Sequence, residues 1–390
     1  MSLVERVASP PYDVISTSEA RQLAAGNEAS FLHVSRPEIS LAEGVDEHSD
    51  AVYAEGMKQL LRFVERGLLV RDAEPHLYVY AQRMGEHRQV GVVACVSVDE
   101  YVTDRIKKHE KTRADKEDDR TRHIDTLAAH DEPVFLTYRA HAPIDAAVAR
   151  AMSATPTYDF SSADGVHHQI WPIAASDSRT LSELFAQHVE VMYVADGHHR
   201  SAAAARVHAA RKGDGGEHDV FLAVIFPHDQ MNILPYNRVV RDKAGRSAKE
   251  LLAVLSERFE VTPASQPAPT ERGTFHVFLG DGWHRLRPRS IAGADPVSRL
   301  DCQICQDQIL APIFGIEDPR RDADIDFVGG IRGYEELERR VVHGEASIAI
   351  YLYPTSVAEV MAVSDAGLIM PPKSTWFEPK LKSGLFVHVF

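Results

Sequence analysis

Val191-Met192-Tyr193-Val194-Ala195-Asp196-Gly197-His198-His199-Arg200 is the stretch on which the reading of this chain turns. The apolar run ending at Ala195 has the length and composition of a buried strand. Ser201-Ala202-Ala203-Ala204-Ala205-Arg206-Val207 continues as a helix. Asp196-Gly197 breaks one period from the other. Two histidines and an arginine therefore sit where a strand turns into a helix. The first N–H groups of a helix lack intrahelical partners and the helix dipole is positive there, so the turn suits an anion. Gly197 lets the backbone come close to that anion, and Arg200 offers a planar fork for phosphate. Asp196 either caps the helix or accepts a proton. Adjacent His198 and His199 diverge by about 100° on a helix, which disfavours a metal clamp built from that pair. Metal ligands are left unassigned.

Around this stretch, 390 residues leave room for two domains. Hydrophobic residues make up 44% and charged residues 26%, as in ordinary globular chains. No apolar run approaches a membrane span, and MSLVERVASPPYD lacks the apolar centre of a signal peptide. A cytoplasmic protein with no membrane partner is expected. The net charge of -14 argues against a broad nucleic-acid footprint, which needs a basic face, but leaves room for a local phosphate pocket. Of three cysteines, Cys302 and Cys305 form one C-x-x-C on an amphipathic helix with Leu300 and Ile304. Without a second pair they read as small core residues rather than a zinc site.

In chain order, Ser9-Pro10-Pro11-Tyr12-Asp13 is a stiff segment presenting a ring and a carboxylate ahead of a helix capped by Ser16 or Thr17. Residues 47–69 read as a long helix. Strands follow on either side of a Gly85-Glu86 hairpin turn. Residues 99–125 are so rich in alternating charge that a solvated helix is expected. Inside them, His109-Glu110-Lys111-Thr112 groups a base, an acid, a cation and a hydroxyl. Taken alone it reads as a surface patch, and Arg113 rules out the H-E-x-x-H zinc pattern. Asp131-Glu132-Pro133 opens a short strand, and Asp164-Gly165 turns a hairpin in which His167 and His168 face opposite ways. Phe221 to Phe226 is continuously apolar and reads as a central strand buried on both faces. Asn237 and Arg238 follow close behind. Beyond residue 243 strands and helices alternate. The chain closes on the basic loop Pro371-Pro372-Lys373-Ser374-Thr375-Trp376-Phe377-Glu378-Pro379-Lys380, which is suited to delivering Lys373 or Lys380 to an anion, and then on the apolar LFVHVF. The expectation is an α/β (α+β) protein, with a mixed-sheet domain over 1–243 and a smaller α+β domain over 244–390.

No glycine precedes a lysine, so there is no Walker A loop, and no G-x-S-x-G elbow occurs. Gly213-Asp214-Gly215-Gly216 misses the dinucleotide pattern at His218.

Taken together, SPPYDVIS, HEKT, YVADGHHR, PYNRVV and MPPKSTWFEPKLKSGL resemble the domain-of-unknown-function family numbered 1015. Asp196-Gly197-His198-His199-Arg200 is also similar to the phosphate-binding turn of the ParB/sulfiredoxin superfamily, whose free-serine kinases carry a closely similar turn. That second resemblance implies a ParB/sulfiredoxin-like first domain. It makes His199 and Arg200 phosphate ligands and Asp196 the base. The residues themselves add Gly197, Lys373, Ser374, Thr375 and Lys380 as phosphate or nucleotide ligands, His198 and Glu110 as further catalytic groups, and Tyr12, Asp13, His109, Asn237 and Arg238 as substrate contacts. The cofactors it implies are Mg²⁺ and ATP or ADP. Three functions follow: a phosphotransferase acting on a small hydroxylated, serine-like metabolite, a phosphatase using the same site, or a nucleotide-binding switch without catalysis. The partners expected are a small-molecule substrate and a nucleotide, with a homo-oligomer allowed.

Overall fold

Phe221 to Phe226 occupies the middle of an eight-stranded sheet, as an unbroken apolar run requires. The computed structural model describes residues 2–211 and 215–390. Gly213 and Asp214 of the glycine cluster lie outside the described residues. The chain divides into two compact units, the first made of residues 1–231 and 379–390 and the second of residues 232–378.

The first unit contains β1 (Tyr78–Met84), β2 (His87–Ser97), β3 (Ile106–Lys107), β4 (Ala129–His130), β5 (Val134–Tyr138), β6 (Tyr158–Ser161), β7 (His167–Pro172), β8 (Met192–Asp196) and β9 (Val220–Pro227). All but β4 form one sheet, in the order β3-β8-β5-β9-β2-β1-β7-β6. The pairs β3/β8 and β5/β9 are parallel and the others antiparallel, so the sheet is mixed. Both expected hairpins form, at Gly85-Glu86 and around Asp164-Gly165. His168 is buried, with Tyr80 Oη at 2.8 Å from one ring nitrogen and Ser162 Oγ at 2.8 Å from the other, while the His167 ring meets Asp159. The two rings face opposite ways, as strand geometry demands.

The helix His198–Ala210 packs on the helix Ala114–Leu127. Ala203 and Ala204 have no side chain beyond Cβ, which lets the backbones approach, and Ile124, Ala203 and Val207 form the seam. Residues 99–125 are not one solvated helix. They fold as the helix Val98–Val102, the short β3, an irregular run, and then the helix from Ala114. Asp119, Arg120 and His123 on that last helix are buried. Alternating charge predicted exposure, but these charges pair with one another and with Asp131 under the sheet, which removes the penalty for burying them singly. Ser16 caps the helix Thr17–Ala24 in a capping box with Glu19. The long helix runs Asp50–Glu65.

The second unit adds β10 (Asn232–Leu234), β11 (Tyr236–Val240), β12 (Phe259–Pro263), β13 (Phe275–Phe278), β14 (Trp283–Pro288), β15 (Ile325–Gly329), β16 (Ile348–Leu352) and β17 (Trp376–Glu378). Six of them form an antiparallel sheet in the order β12-β14-β13-β16-β11-β15, and β10 pairs with β17. Cys302 and Cys305 are free and buried beside Leu300 and Ile304, as expected of core residues. The chain then returns to the first unit, where only β18 (His388–Val389) of the closing LFVHVF is strand, paired with β4. The protein is α+β. Among the described residues no helix is long and apolar enough to cross a membrane.

Candidate functional site

The strand-to-helix turn forms as its sequence requires. Asp196 is the last residue of β8, Gly197 takes φ 94° and ψ 29°, and the helix starts at His198. Only glycine enters that left-handed region without strain. A second constraint acts at the same place: a Cβ on Gly197 would lie 3.1–3.2 Å from Nε, Cζ and Nη2 of Arg200. The Arg200 guanidinium thus covers the glycine. Asp196 is not the helix cap, because Gly197 holds that position without a side-chain bond.

The Asp196 carboxylate turns instead to Lys380, whose Nζ lies 3.1 Å from Oδ2, and to Arg200 Nη2 at 3.8 Å. Burial would raise its pKa, but Lys380 and then Arg200 outweigh burial and hold Asp196 well below the usual carboxylate range. Lys380 reaches this place because the returning segment is tied down by two buried glutamines. Gln82 Nε2 donates to the Lys380 carbonyl (2.8 Å) and Gln89 Nε2 to the Pro379 carbonyl (3.4 Å). Lys382 pairs with Asp164, and Ser9 bridges Ser383.

Beneath the turn lies a buried charged group that sequence reasoning missed. Arg200 Nη1 donates to the Pro133 carbonyl and stands 4.0 Å from Glu132 Oε2. Glu132 Oε1 accepts from the Tyr12 N–H (3.1 Å) and the Ser383 hydroxyl (2.5 Å). Burial pushes the Glu132 carboxyl up to about 7, opposed by Arg200 and helped by the charges of Asp131 and Asp13. Asp131 accepts from the His123 ring (3.0 Å), and the Arg120 guanidinium stacks 4.1 Å from the Tyr12 ring centroid. A cavity of about 10 Å³ lies among Arg120, Asp131, Glu132 and Arg200, room for about one water. The signal was present in Asp131-Glu132-Pro133, an acidic pair directly before a buried strand, and in glutamines at inward positions of β1 and β2.

At the mouth of the turn, His109 and His198 meet edge to face with ring centroids 4.4 Å apart. His109 is 2% exposed and is not part of a surface patch, whereas Glu110 keeps 42% of its side chain exposed and Lys111 is exposed. His109 lies against the His198 ring and the Val194 backbone of β8. Burial lowers the pKa of His109 to about 4, and burial together with His109 keeps His198 well below its ordinary value. Both rings are neutral near pH 7. Glu110 Oε2 is 4.0 Å from His198 Nδ1, and His199 Nε2 accepts the Arg113 N–H (3.2 Å). Asp13 is exposed, and its charge acts on Arg200 and His199.

Ten of the residues singled out from sequence thus gather in the first unit: Tyr12, Asp13, His109, Glu110, Asp196, Gly197, His198, His199, Arg200 and Lys380. The remaining five lie in the second unit. Asn237 Oδ1 accepts the Leu352 N–H (3.2 Å), and the buried Arg238 donates to the Tyr236 and Lys373 carbonyls. The Ser374 hydroxyl meets Cys302 Sγ and the Pro371 carbonyl, Thr375 is half-buried, and Lys373 is exposed with Nζ 5.5 Å from the Tyr236 ring centroid.

The first unit is therefore a mixed-sheet α+β unit with a charged strand–glycine–helix turn. The chain belongs to the family described as protein of unknown function (DUF1015), which matches residues 1–303. Among solved structures it is similar to a free serine kinase in complex with AMP (13% identity, 74% of this chain and 91% of that chain, TM-score 0.38). It is also similar to a conserved hypothetical protein from Pyrococcus furiosus (13%, 74% and 93%, 0.36). A third similar structure is SbnI with a C-terminal truncation from Staphylococcus aureus (14%, 76% and 87%, 0.42). No curated protein matches the chain in sequence.

Proposed function

We propose that this protein is a nucleotide-dependent phosphotransferase acting on a small hydroxylated, serine-like metabolite. The observation that carries this reading is the Asp196–Lys380 pair, 3.1 Å apart at the start of the helix His198–Ala210. Phosphoryl transfer asks for positioning and charge neutralisation more than for covalent chemistry. The free N–H groups of the first helical turn and the Lys380 ammonium supply positive charge where a phosphoryl group would lie. Asp196, held ionised, accepts a hydrogen bond from the acceptor hydroxyl and aligns it. Its proton is taken late, as Lys380 turns from the carboxylate to the transferred group. Arg200 acts through its contacts with Asp196 and Glu132, holding the turn in shape from below. A Mg²⁺ ion travelling with the nucleotide would find hard oxygen ligands at Asp13 and Asp196 and would neutralise charge on the phosphates. The same reading takes the turn as ParB/sulfiredoxin-like, with His199 beside the phosphates.

The test is phosphorus NMR of the full chain with Mg²⁺, ATP or ADP, and a pool of hydroxylated amino acids and sugars. A phosphomonoester resonance that grows only with an acceptor, and is lost in Lys380→Met, is the expected result. Nucleotide spectra that stay unchanged with every acceptor would overturn the proposal.

A further inference from the structure

His109, Glu110 and His198 present one ligand atom each within 4.8 Å of one another. Two come from the irregular segment after β3 and the third from the first residue of the helix that follows Gly197, so tertiary packing alone brings them together. Nothing in the spacing 109, 110, 198 announces such a set.

The two histidines carry a second, separate observation. His109 is 2% and His198 5% exposed, yet His109 makes no more than a poorly aligned contact with the Val194 backbone through its ring, and His198 Nε2 has no partner. Buried polar atoms are satisfied in the large majority of cases, and imidazole nitrogens left without a well-formed hydrogen bond in two touching rings need a reason. His198 Nδ1 points toward Glu110 Oε2 at 4.0 Å, and Glu110 keeps 42% of its side chain exposed, so the set opens to solvent on its carboxylate side.

We infer that His109, Glu110 and His198 form a binding site for a transition-metal dication of the zinc class. Two imidazoles and one carboxylate suit zinc better than magnesium, which prefers an all-oxygen shell. Ligand atoms around a tetrahedral dication stand closer than 4.0 Å, so the three atoms, now within 4.8 Å of one another, draw together on binding. Three protein ligands leave a fourth position for water or a substrate oxygen, at the mouth of the turn where the helix begins. The inference does not depend on phosphoryl transfer. It is read by metal content alone, with no nucleotide present, so either reading can fail without the other.

The experiment uses the tag-free full chain, stripped with chelator and titrated with Co²⁺, which reports coordination through its visible d–d bands, and then with Zn²⁺ in competition. The expected result is one equivalent of Co²⁺ with the intense bands of a four- or five-coordinate site, bleached by Zn²⁺. His109→Gln and His198→Gln are each expected to weaken binding by at least about tenfold, and Glu110→Gln to weaken it as well. His167→Gln, on β7 near the opposite end of the sheet from β8, keeps full stoichiometry. Wild-type protein that binds less than one equivalent, or shows only the weak bands of hexaaquo Co²⁺, overturns the inference whatever the variants do. So does a wild-type spectrum that persists unchanged in a folded His109→Gln or His198→Gln chain.

Discussion

Replacing Gly197 with alanine tests the turn where backbone and side-chain constraints coincide. At φ 94° an alanine suffers the left-handed penalty of about 1–2 kcal/mol. The unfolded chain gives back about 0.4–1 kcal/mol, because alanine has less freedom to lose. The new Cβ would also stand 3.1–3.2 Å from three atoms of the Arg200 guanidinium. That group cannot slide away freely, since it is held by the Pro133 carbonyl, by Asp196 at 3.8 Å and by Glu132 at 4.0 Å. Overpacking of this kind costs about 1–3 kcal/mol. The net loss expected for Gly197→Ala is therefore about 2–3 kcal/mol. Gly165→Ala is the control: its φ is 80°, but a Cβ there meets nothing within 4 Å, so only the net backbone cost of about 1 kcal/mol applies. Trp171 is the tryptophan of the first unit, and a background with Trp283→Phe and Trp376→Phe makes its fluorescence report that unit's urea transition. If Gly197→Ala costs no more than Gly165→Ala, Arg200 does not clamp the glycine and the account of the turn is wrong.

Lys380→Met keeps the length of the side chain and removes its charge, leaving Asp196 with Arg200 alone; a loss of about 1–3 kcal/mol in the same urea assay is expected, and an unchanged midpoint would show the pair to be a solvated contact. Glu132 ionises less readily folded than unfolded, so its contribution is fully present below pH 4.5 and is lost as pH rises through about 7. The difference is about 3 kcal/mol, and Glu132→Gln should flatten that alkaline decline in urea titrations at pH 5 and pH 8. His168 behaves oppositely: burial lowers its pKa to about 3, so stability is full above pH 6.5 and falls by up to about 5 kcal/mol as pH drops toward 3. His168→Gln should shallow the acid limb of a thermal-unfolding series, and an unaltered limb would place the acid sensitivity elsewhere.

The local elements were legible because short-range chemistry decides them. A continuous apolar run, a glycine and an alanine-rich helix admit one arrangement at 191–210, whatever the rest of the chain does. Phe221 to Phe226 could not be solvated on either face, and hairpins at Gly85-Glu86 and Asp164-Gly165 follow from turn geometry. The residues of the candidate site were recognisable by type, since histidine, aspartate and arginine at a helix start suit an anion. What they touch was not recognisable. Asp196 read as a cap or a base and is an ion-pair partner, because Lys380 arrives from 184 residues away. His109 looked exposed because charge surrounds it in sequence, but burial is set by what packs on a segment, and here β8 and His198 do. Asp131, Glu132 and Arg120 became a buried network only because three separate segments close over them and satisfy one another. Chain composition and periodicity determine which elements form and which faces are apolar. Pairing between charges distant in sequence, and the burial that shifts their protonation, depends on distances that exist only once the sheet has assembled.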